Sequence, residues 1–459
     1  MLRISENANR NYLAKVVSLG KPLTHPNADR LQGFIIDHAR IYTDFSYKEH
    51  DICIYFPLEC QIDSRILSYL NLYSDKSLNI DNTKGGFFNA KGRVKAVRLR
   101  SEPSQGFLIR AQEFIDAVAT FAASTQGFVP IFDKLIDVDS IGFEFDSVGN
   151  ETIIKKYVVQ QERKSGVKSD KKLAKKVSRV VKNQFRFHID TEHLRKNIYK
   201  VDRNDYVSIT AKFHGTSVIF GKLLTYRKLS FIEKILKKLG VNINDKVYDL
   251  LYSSRRVIKN DDLNTQANHY YSSDVWGDVA RTFDYAVQKG YTLYGEIVGY
   301  TRDGSFIQKG YDYGCIKPVY EDEYVEDVHY RVYVYRITFT NEDGYVSELS
   351  WRQIKAYCEH FGINHVPEYY FGKLVNFDKS FKKIKSDDEF NEAVIKLLEE
   401  KYLEKYCEFC GNRVPSEGIV LRIDKLFKFD AYKLKSFMFL EMESKQLDEN
   451  IIDIEAEEQ

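Results

Sequence analysis

Between Lys155 and Lys182 basic residues crowd together, Lys164, Lys168, Lys171, Lys172, Lys175 and Lys176 among them, with few acids to offset them. A run so dense in one charge stays solvated, so the chain is expected to build one body before it and another after it. At 459 residues the chain is also too long for one typical core, which favours two or three domains. The expected division is residues 1–154, a basic connector over 155–183, and residues 184–459. Such a connector serves either as a tether or solvated helix face, or as a contact for nucleic-acid phosphates through counterion release. The acidic stretch from Glu441 to Gln459 is short enough to be a tail or a last helix.

Composition removes other classes. Hydrophobic residues at 43% and aromatics at 14% belong to a folded chain, not a disordered one. A formal net charge of +2 leaves the question of a nucleic-acid partner to the local distribution. No apolar run of about 18 residues is present, and Met1-Leu2-Arg3-Ile4-Ser5-Glu6-Asn7 lacks the basic region and apolar core of a secretory signal. A cytoplasmic protein without a membrane partner is expected. Six scattered cysteines do not make a disulfide framework, so reduced thiols are expected. Cys407 and Cys410 have the spacing of half a zinc site, with Cys358, His360 and His365 as conceivable partners, but no second close pair stands at finger spacing.

Before the connector, the stretches Tyr12–Val17, Gly33–Asp37, Asp51–Pro57 and Lys91–Leu99 alternate β-branched and aromatic residues as short strands do, which suggests a small barrel. After it, strands interleave with a few helices, an α+β pattern. Ser386-Asp387-Asp388-Glu389 is a capping box for a helix with Phe390, Val394, Leu397 and Leu398 on one face. Ser350-Trp351-Arg352-Gln353 starts another helix, closed by Gly362, and Phe231, Ile232, Ile235, Leu236 and Leu239 give helical spacing ended by Gly240.

The chemistry lies in short segments that follow one another after the connector. They are Ala211-Lys212-Phe213-His214-Gly215-Thr216-Ser217, Tyr252-Ser253-Ser254-Arg255-Arg256, Leu293-Tyr294-Gly295-Glu296-Ile297-Val298-Gly299, Tyr333-Val334-Tyr335-Arg336, Ser416-Glu417-Gly418-Ile419-Val420-Leu421-Arg422 and Tyr432-Lys433-Leu434-Lys435. The ordered set resembles the covalent nucleotidyltransferase superfamily of ATP-dependent ligases and mRNA capping enzymes, whose motif I lysine is joined to a nucleoside monophosphate. The resemblance makes Lys212 that nucleophile. A lysine that attacks phosphorus must be a free amine, whereas an exposed one titrates near about 10.4, so its surroundings must favour the neutral form; burial, a divalent cation and other basic groups act that way.

The other roles follow from the same resemblance. Arg255, with Arg256 beside it as the alternative, matches the motif Ia arginine, whose planar fork suits a phosphate. Gly215 lets the backbone turn close to a nucleotide. Glu296 matches the glutamate that binds ribose hydroxyls or orients metal-bound water. Tyr333 and Tyr335 share a strand face; one aromatic there stacks on adenine, and Tyr335 is favoured while Tyr333 also reads as a core tyrosine. Glu417 matches the carboxylate ligand of Mg²⁺ or Mn²⁺, with Glu296 as the second candidate ligand. Lys433 and Lys435 match the lysines that grip the α-phosphate and stabilise charge developing there.

Two phrases refine the choice of family. His25-Pro26-Asn27-Ala28-Asp29-Arg30-Leu31 resembles the signature of tRNA-binding OB modules, and Leu99-Arg100-Ser101-Glu102-Pro103-Ser104-Gln105-Gly106-Phe107 resembles the final strand of their relatives attached to RNA ligases. With Ile307-Gln308-Lys309-Gly310-Tyr311-Asp312-Tyr313-Gly314 between two motifs, the chain looks like the Deinococcus-type, or fifth-family, RNA ligases. DNA ligases and capping enzymes carry a further OB domain after the last motif, but about two dozen residues follow Lys435; Arg422-Ile423-Asp424-Lys425 mimics their final motif and is read as strand continuation.

The resemblance thus implies an α+β protein: an N-terminal OB-like β-barrel, then an ATP-grasp-like nucleotidyltransferase (adenylation) domain of antiparallel sheets with flanking helices. It implies an ATP-dependent RNA ligase acting with Mg²⁺ or Mn²⁺, through lysyl-AMP and an adenylylated 5′-phosphate, on RNA or RNA/DNA duplexes with nicks, as a monomer working in RNA repair. The alternatives are a GTP-dependent capping-type nucleotidyltransferase and a catalytically inactive RNA-binding protein; the second would show a replaced motif lysine or glutamate, and none is replaced.

Overall fold

The structure, a computed structural model, describes residues 1–122, 136–159, 178–260, 271, 273–318 and 329–449. Most of the basic connector therefore lies outside the described residues. The fold is mixed α+β with sheets that are mostly antiparallel. No helix among the described residues is long and apolar enough to cross a membrane.

Two compact units divide the chain. The first comprises Met1–Val159, Arg195–Ile198 and Phe437–Ile451. Its strands β1 (Ala14–Ser18), β2 (Gln32–Ile36), β3 (Ala39–Thr43), β4 (Ile52–Phe56), β5 (Phe107–Arg110) and β6 (Glu144–Phe145) are short, as their alternation requires. They pair as β5-β4-β1-β6, and β2 with β3 in a separate sheet. No ring of strand pairings closes among the described residues, so these pairings do not by themselves make the OB-like barrel. The two OB-like phrases nevertheless meet, His25 Nε2 lying 3.0 Å from the Leu99 carbonyl and Asn27 Nδ2 donating to that of Arg100 at 3.3 Å.

Of the acidic C-terminal stretch, residues 450–459 lie outside the described residues, and residues 441–448 lie in a helix, Phe437–Asp448, that belongs to this first unit. The fully buried Arg93 side chain holds it there by donating to the Ser444 carbonyl at 2.7 Å and to Asp448 at 2.9 Å, while Lys95 reaches Asp448 and Arg98 reaches Glu441. A buried guanidinium requires such partners, since leaving it unpaired costs several kcal/mol, about 3–5 where a pair is broken.

The second unit, Gln160–Leu194 with Tyr199–Ser436 and Ile452–Gln459, is built on two five-stranded sheets. One runs β7 (Glu192–His193), β16 (Asp430–Lys435), β15 (Gly418–Ile423), β8 (Tyr206–Lys212) and β14 (Glu368–Lys373) in spatial order. The other runs β10 (Lys246–Ser253), β9 (Thr216–Tyr226), β11 (Tyr291–Gly299), β12 (Tyr330–Thr340) and β13 (Val346–Glu348). Strands β8, β9, β11 and β15 are buried on both faces, so their sequences read as continuous runs. β15 extends through Arg422 and Ile423, which accounts for that part of the tetrapeptide as strand.

Helix starts follow their caps. Ser350 and Gln353 satisfy each other's backbone N–H before Trp351–Phe361, and Gly362 closes that helix at φ 65°. Ser386 caps Asp387–Tyr402 in one direction only, through Glu389 N–H, and its buried stripe uses Ile395 with Phe390, Val394 and Leu398, leaving Leu397 half-buried. The helix Phe231–Lys238 forms behind a complete Ser230–Glu233 box, but its apolar residues Phe231, Ile232, Ile235 and Leu236 remain exposed.

Candidate active site

Lys212 is the last residue of β8, and Thr216 opens β9 in the other sheet, so Phe213-His214-Gly215 is the crossing from one sheet to the other. Gly215 is required there by packing: a Cβ would stand 2.2 Å from the Ile297 carbonyl of β11. Its N–H donates to Glu296 Oε1 at 3.1 Å, which ties the turn to the buried carboxylate of that strand. The signal for glycine is thus close approach of a neighbouring strand, a cause that the sequence does not separate from approach of a nucleotide.

Across the first sheet Lys212 pairs with Gly418, and Gly418 with Lys435. Residues opposite one another share a face, so the two lysines flank a position without a side chain. Gly418 cannot easily be anything else: at φ 143° a Cβ would meet the Leu434 carbonyl at 2.1 Å. Lys433 lies two residues along on the same face, opposite Val420. Beside this row, Lys212 Nζ contacts Glu417 Oε1 at 2.7 Å. Glu417 Oε2 is buried and has no hydrogen-bond partner among the described residues. A buried carboxylate oxygen without a donor is a hard, anionic ligand of the kind a divalent cation such as Mg²⁺ or Mn²⁺ takes. Among the described residues no group of three His, Cys, Asp or Glu side chains gathers at metal-binding distance.

The remaining predicted residues sit against partners that the motifs do not name. Arg255 Nη2 lies 2.5 Å from Asp190 Oδ1, and Arg256 contacts the other oxygen at 2.9 Å. Burial opposes the charge on Asp190, but Arg255 beside it, with His188 and Arg256, holds the carboxyl below the ordinary carboxylate range. Tyr335 hydrogen-bonds His188 Nδ1 at 3.2 Å, and the rings meet edge to face. Tyr333 packs instead on Phe213, centroids 4.5 Å apart, immediately beyond Lys212.

Two tyrosines of the Gly310–Gly314 segment fix the same turn. The Tyr313 hydroxyl accepts from His214 N–H at 2.9 Å and donates to His214 C=O at 3.1 Å. Burial pushes its phenol well up, so it stays a neutral donor. Tyr311 packs edge-on to His214 and donates to the Pro415 carbonyl at 2.7 Å, two residues before Glu417. The motifs give these tyrosines no role of their own, and they do not include His188 or Asp190. The one available signal is the pair of tyrosines two apart between glycines, a strand-like spacing that says nothing of its target.

A family model described as RNA ligase matches residues 205–437, just over half of the chain and every motif segment from Lys212 to Lys435. The chain belongs to the RNA ligase family. It is therefore an enzyme of that class. Solved structures of Naegleria gruberi RNA ligase are similar in fold. A mutant with ATP and Mn is 15% identical at TM-score 0.52, covering 97% of this chain and 99% of that one. Another with AMP and Mn is 14% identical at TM-score 0.53, with coverage of 94% and 98%. The same ligase with PPi is 16% identical at TM-score 0.52, with coverage of 95% and 100%. No curated protein matches the chain.

Proposed function

We propose that this RNA ligase is ATP-dependent and joins RNA 3′-OH to 5′-phosphate ends through a lysyl-AMP at Lys212 and an adenylylated 5′-phosphate. The observation that carries the reading is the row Lys212, Gly418, Lys435 with Glu417 against the first lysine. Lys212 Nζ attacks the α-phosphorus and pyrophosphate leaves; AMP then passes to the 5′-phosphate, and the 3′-OH displaces it. Lys433 and Lys435 meet the negative charge that builds at phosphorus, a preorganised arrangement whose loss costs on the order of 10²–10³ in rate per group. Gly418 places no side chain of its own between the two lysines.

As it stands the Lys212–Glu417 contact pairs opposite charges, whereas attack needs a neutral amine. Glu417, with Glu296, would hold Mg²⁺ or Mn²⁺, which supplies charge neutralisation at the phosphates and competes for the carboxylate that otherwise pairs with Lys212. Arg255 offers a phosphate its fork from the Asp190 pair, Tyr335 offers its ring to adenine, and Tyr333 with Phe213 walls the turn. The Naegleria structures with ATP, AMP and Mn support this choice of nucleotide and metal.

The motif order and the meeting of the two OB-like phrases support a Deinococcus-type arrangement, in which the first unit contacts RNA and the chain seals nicks as a monomer in RNA repair. A panel of substrates tests it: nicked duplexes with RNA or DNA on each side, and single-stranded ends, with ATP or GTP. Sealing of a nick with RNA at the 3′-OH, with ATP alone, is expected. Protein labelled by GTP and not ATP would overturn the nucleotide choice, and preference for single-stranded ends would overturn the nick.

A further inference from the structure

The segment from Tyr406 to Pro415 takes no part in the chemistry above, yet it touches both ends of it. Its base is closed by Cys407 N–H to Val414 C=O at 2.8 Å and Ser416 N–H to Lys405 C=O at 2.9 Å, so it opens directly into Glu417. At its tip Cys410 donates its S–H to Cys407 Sγ across 3.1 Å, and both residues are half-buried. Phe409, between them, packs its ring 5.1 Å from Phe213, the neighbour of Lys212. Gly411 N–H donates to Asp312 C=O at 2.7 Å, and Asn412 Nδ2 donates to Gly310 C=O at 2.7 Å, beside the tyrosines that fix the motif I turn.

We propose that Cys407 and Cys410 are a reversible dithiol–disulfide modification site for small disulfides of the glutathione class, and that its state is felt at Lys212. The thiolate of Cys407 attacks one sulfur of the small disulfide; that S–S bond breaks, and the released thiolate takes up the proton Cys407 has lost. Cys410 sulfur then attacks Cys407 sulfur, displaces the second small thiolate and yields its own proton to it. Two electrons pass from the protein dithiol to the reagent, which leaves as two thiols. Cys407 is the first attacker because the Cys410 hydrogen bond, helped by the N–H groups of Phe409 and Cys410, pulls its thiol below the ordinary value against burial.

Closing the bond brings the sulfurs from 3.1 Å to about 2.05 Å. A displacement of about 1 Å near reacting groups can cost on the order of 10²-fold in rate, and this loop leads into Phe409 on one side and Glu417 on the other. The effect on Lys212 rests on the ligase reading, whereas the thiol chemistry does not.

The full-length protein is equilibrated in a series of glutathione and glutathione disulfide mixtures, alkylated and mapped by mass, with lysyl-AMP formation measured in parallel. A disulfide within the peptide holding residues 407–410 is expected, with labelling slowed at least roughly tenfold and restored by dithiothreitol. Cys410→Ser should stop at a mixed disulfide on Cys407, whereas Cys407→Ser should stay unmodified at Cys410 and label equally across the series. Thiols that stay alkylatable throughout, or that become so only after a zinc chelator, would overturn the site. A disulfide that forms with no change in labelling would overturn its link to Lys212. Absence of lysyl-AMP even in the reduced protein would contradict the ligase reading and leave the mapped disulfide standing.

Discussion

The sheet that ends in Lys212 brings Glu417, Lys433 and Lys435 to the site, whereas the sheet that begins at Thr216 brings Tyr333, Tyr335 and the carboxylate that fastens the turn. The first is a row of charge on adjacent strands with a glycine between, the second a set of rings and hydrogen bonds that, on the reading proposed above, would fix where a nucleotide lies. Charge that acts where the transition state gathers charge changes the rate of chemistry, and shape that acts equally before and during reaction changes affinity. Variants in the two sheets should therefore fail differently.

The largest difference is expected at Lys435→Ala, and at Lys433→Ala beside it. Labelling with ATP should slow by about 10²–10³ while thermal stability barely moves, since both side chains are only half-buried. Unaltered labelling in both would show that the row is not electrostatic machinery. Next is Gly215→Ala, which forces a Cβ to 2.2 Å from Ile297 C=O and should destabilise by about 1–3 kcal/mol. Denaturant titration measures this, and an unchanged midpoint would remove the packing account of that glycine. Tyr335→Ala should raise the KM for ATP several-fold with little change in kcat, because stacking on adenine holds the ground state and the transition state alike; the reverse pattern would move Tyr335 into the chemistry.

The smallest effect is one of pH. Asp190 has a folded pKa held below the ordinary range, first against burial and then by Arg255, so its contribution to stability is complete above the unfolded value and is lost as pH falls through the folded one. Asp190→Asn should therefore lose stability at neutral pH and show a shallower decline on the acid side, by melting at pH values from about 7 down to 3. Parallel curves for the two proteins would deny the Asp190–Arg255 pair that role.

How legible the molecule was depended on whether the cause was local. The Ser350 cap, the Gly362 terminus and the helical spacing that begins at Phe231 are set by residues within a turn or two, and the structure has them. The same local rule made the Phe231–Lys238 helix visible but could not say that its apolar face would stay exposed, because exposure depends on what packs nearby. His188, Asp190, Tyr311 and Tyr313 escaped for a related reason. Tyr313 acts on His214, 99 residues away, and Asp190 on Arg255, 65 away, pairings that only the assembled sheets create. Likewise nothing in the acidic stretch after Glu441 announces that Arg93 and Lys95 will receive it.

The central claim is that Lys212 is the nucleophile, and it is tested most directly by locating the nucleotide on the protein. Incubated with α-labelled ATP and Mg²⁺ or Mn²⁺, the intact chain should acquire label on the peptide containing Lys212, and the bond should behave as a phosphoramidate, lost in acid and surviving alkaline hydroxylamine. Label that persists in Lys212→Ala, or that hydroxylamine releases as it would an acyl phosphate, would contradict the account.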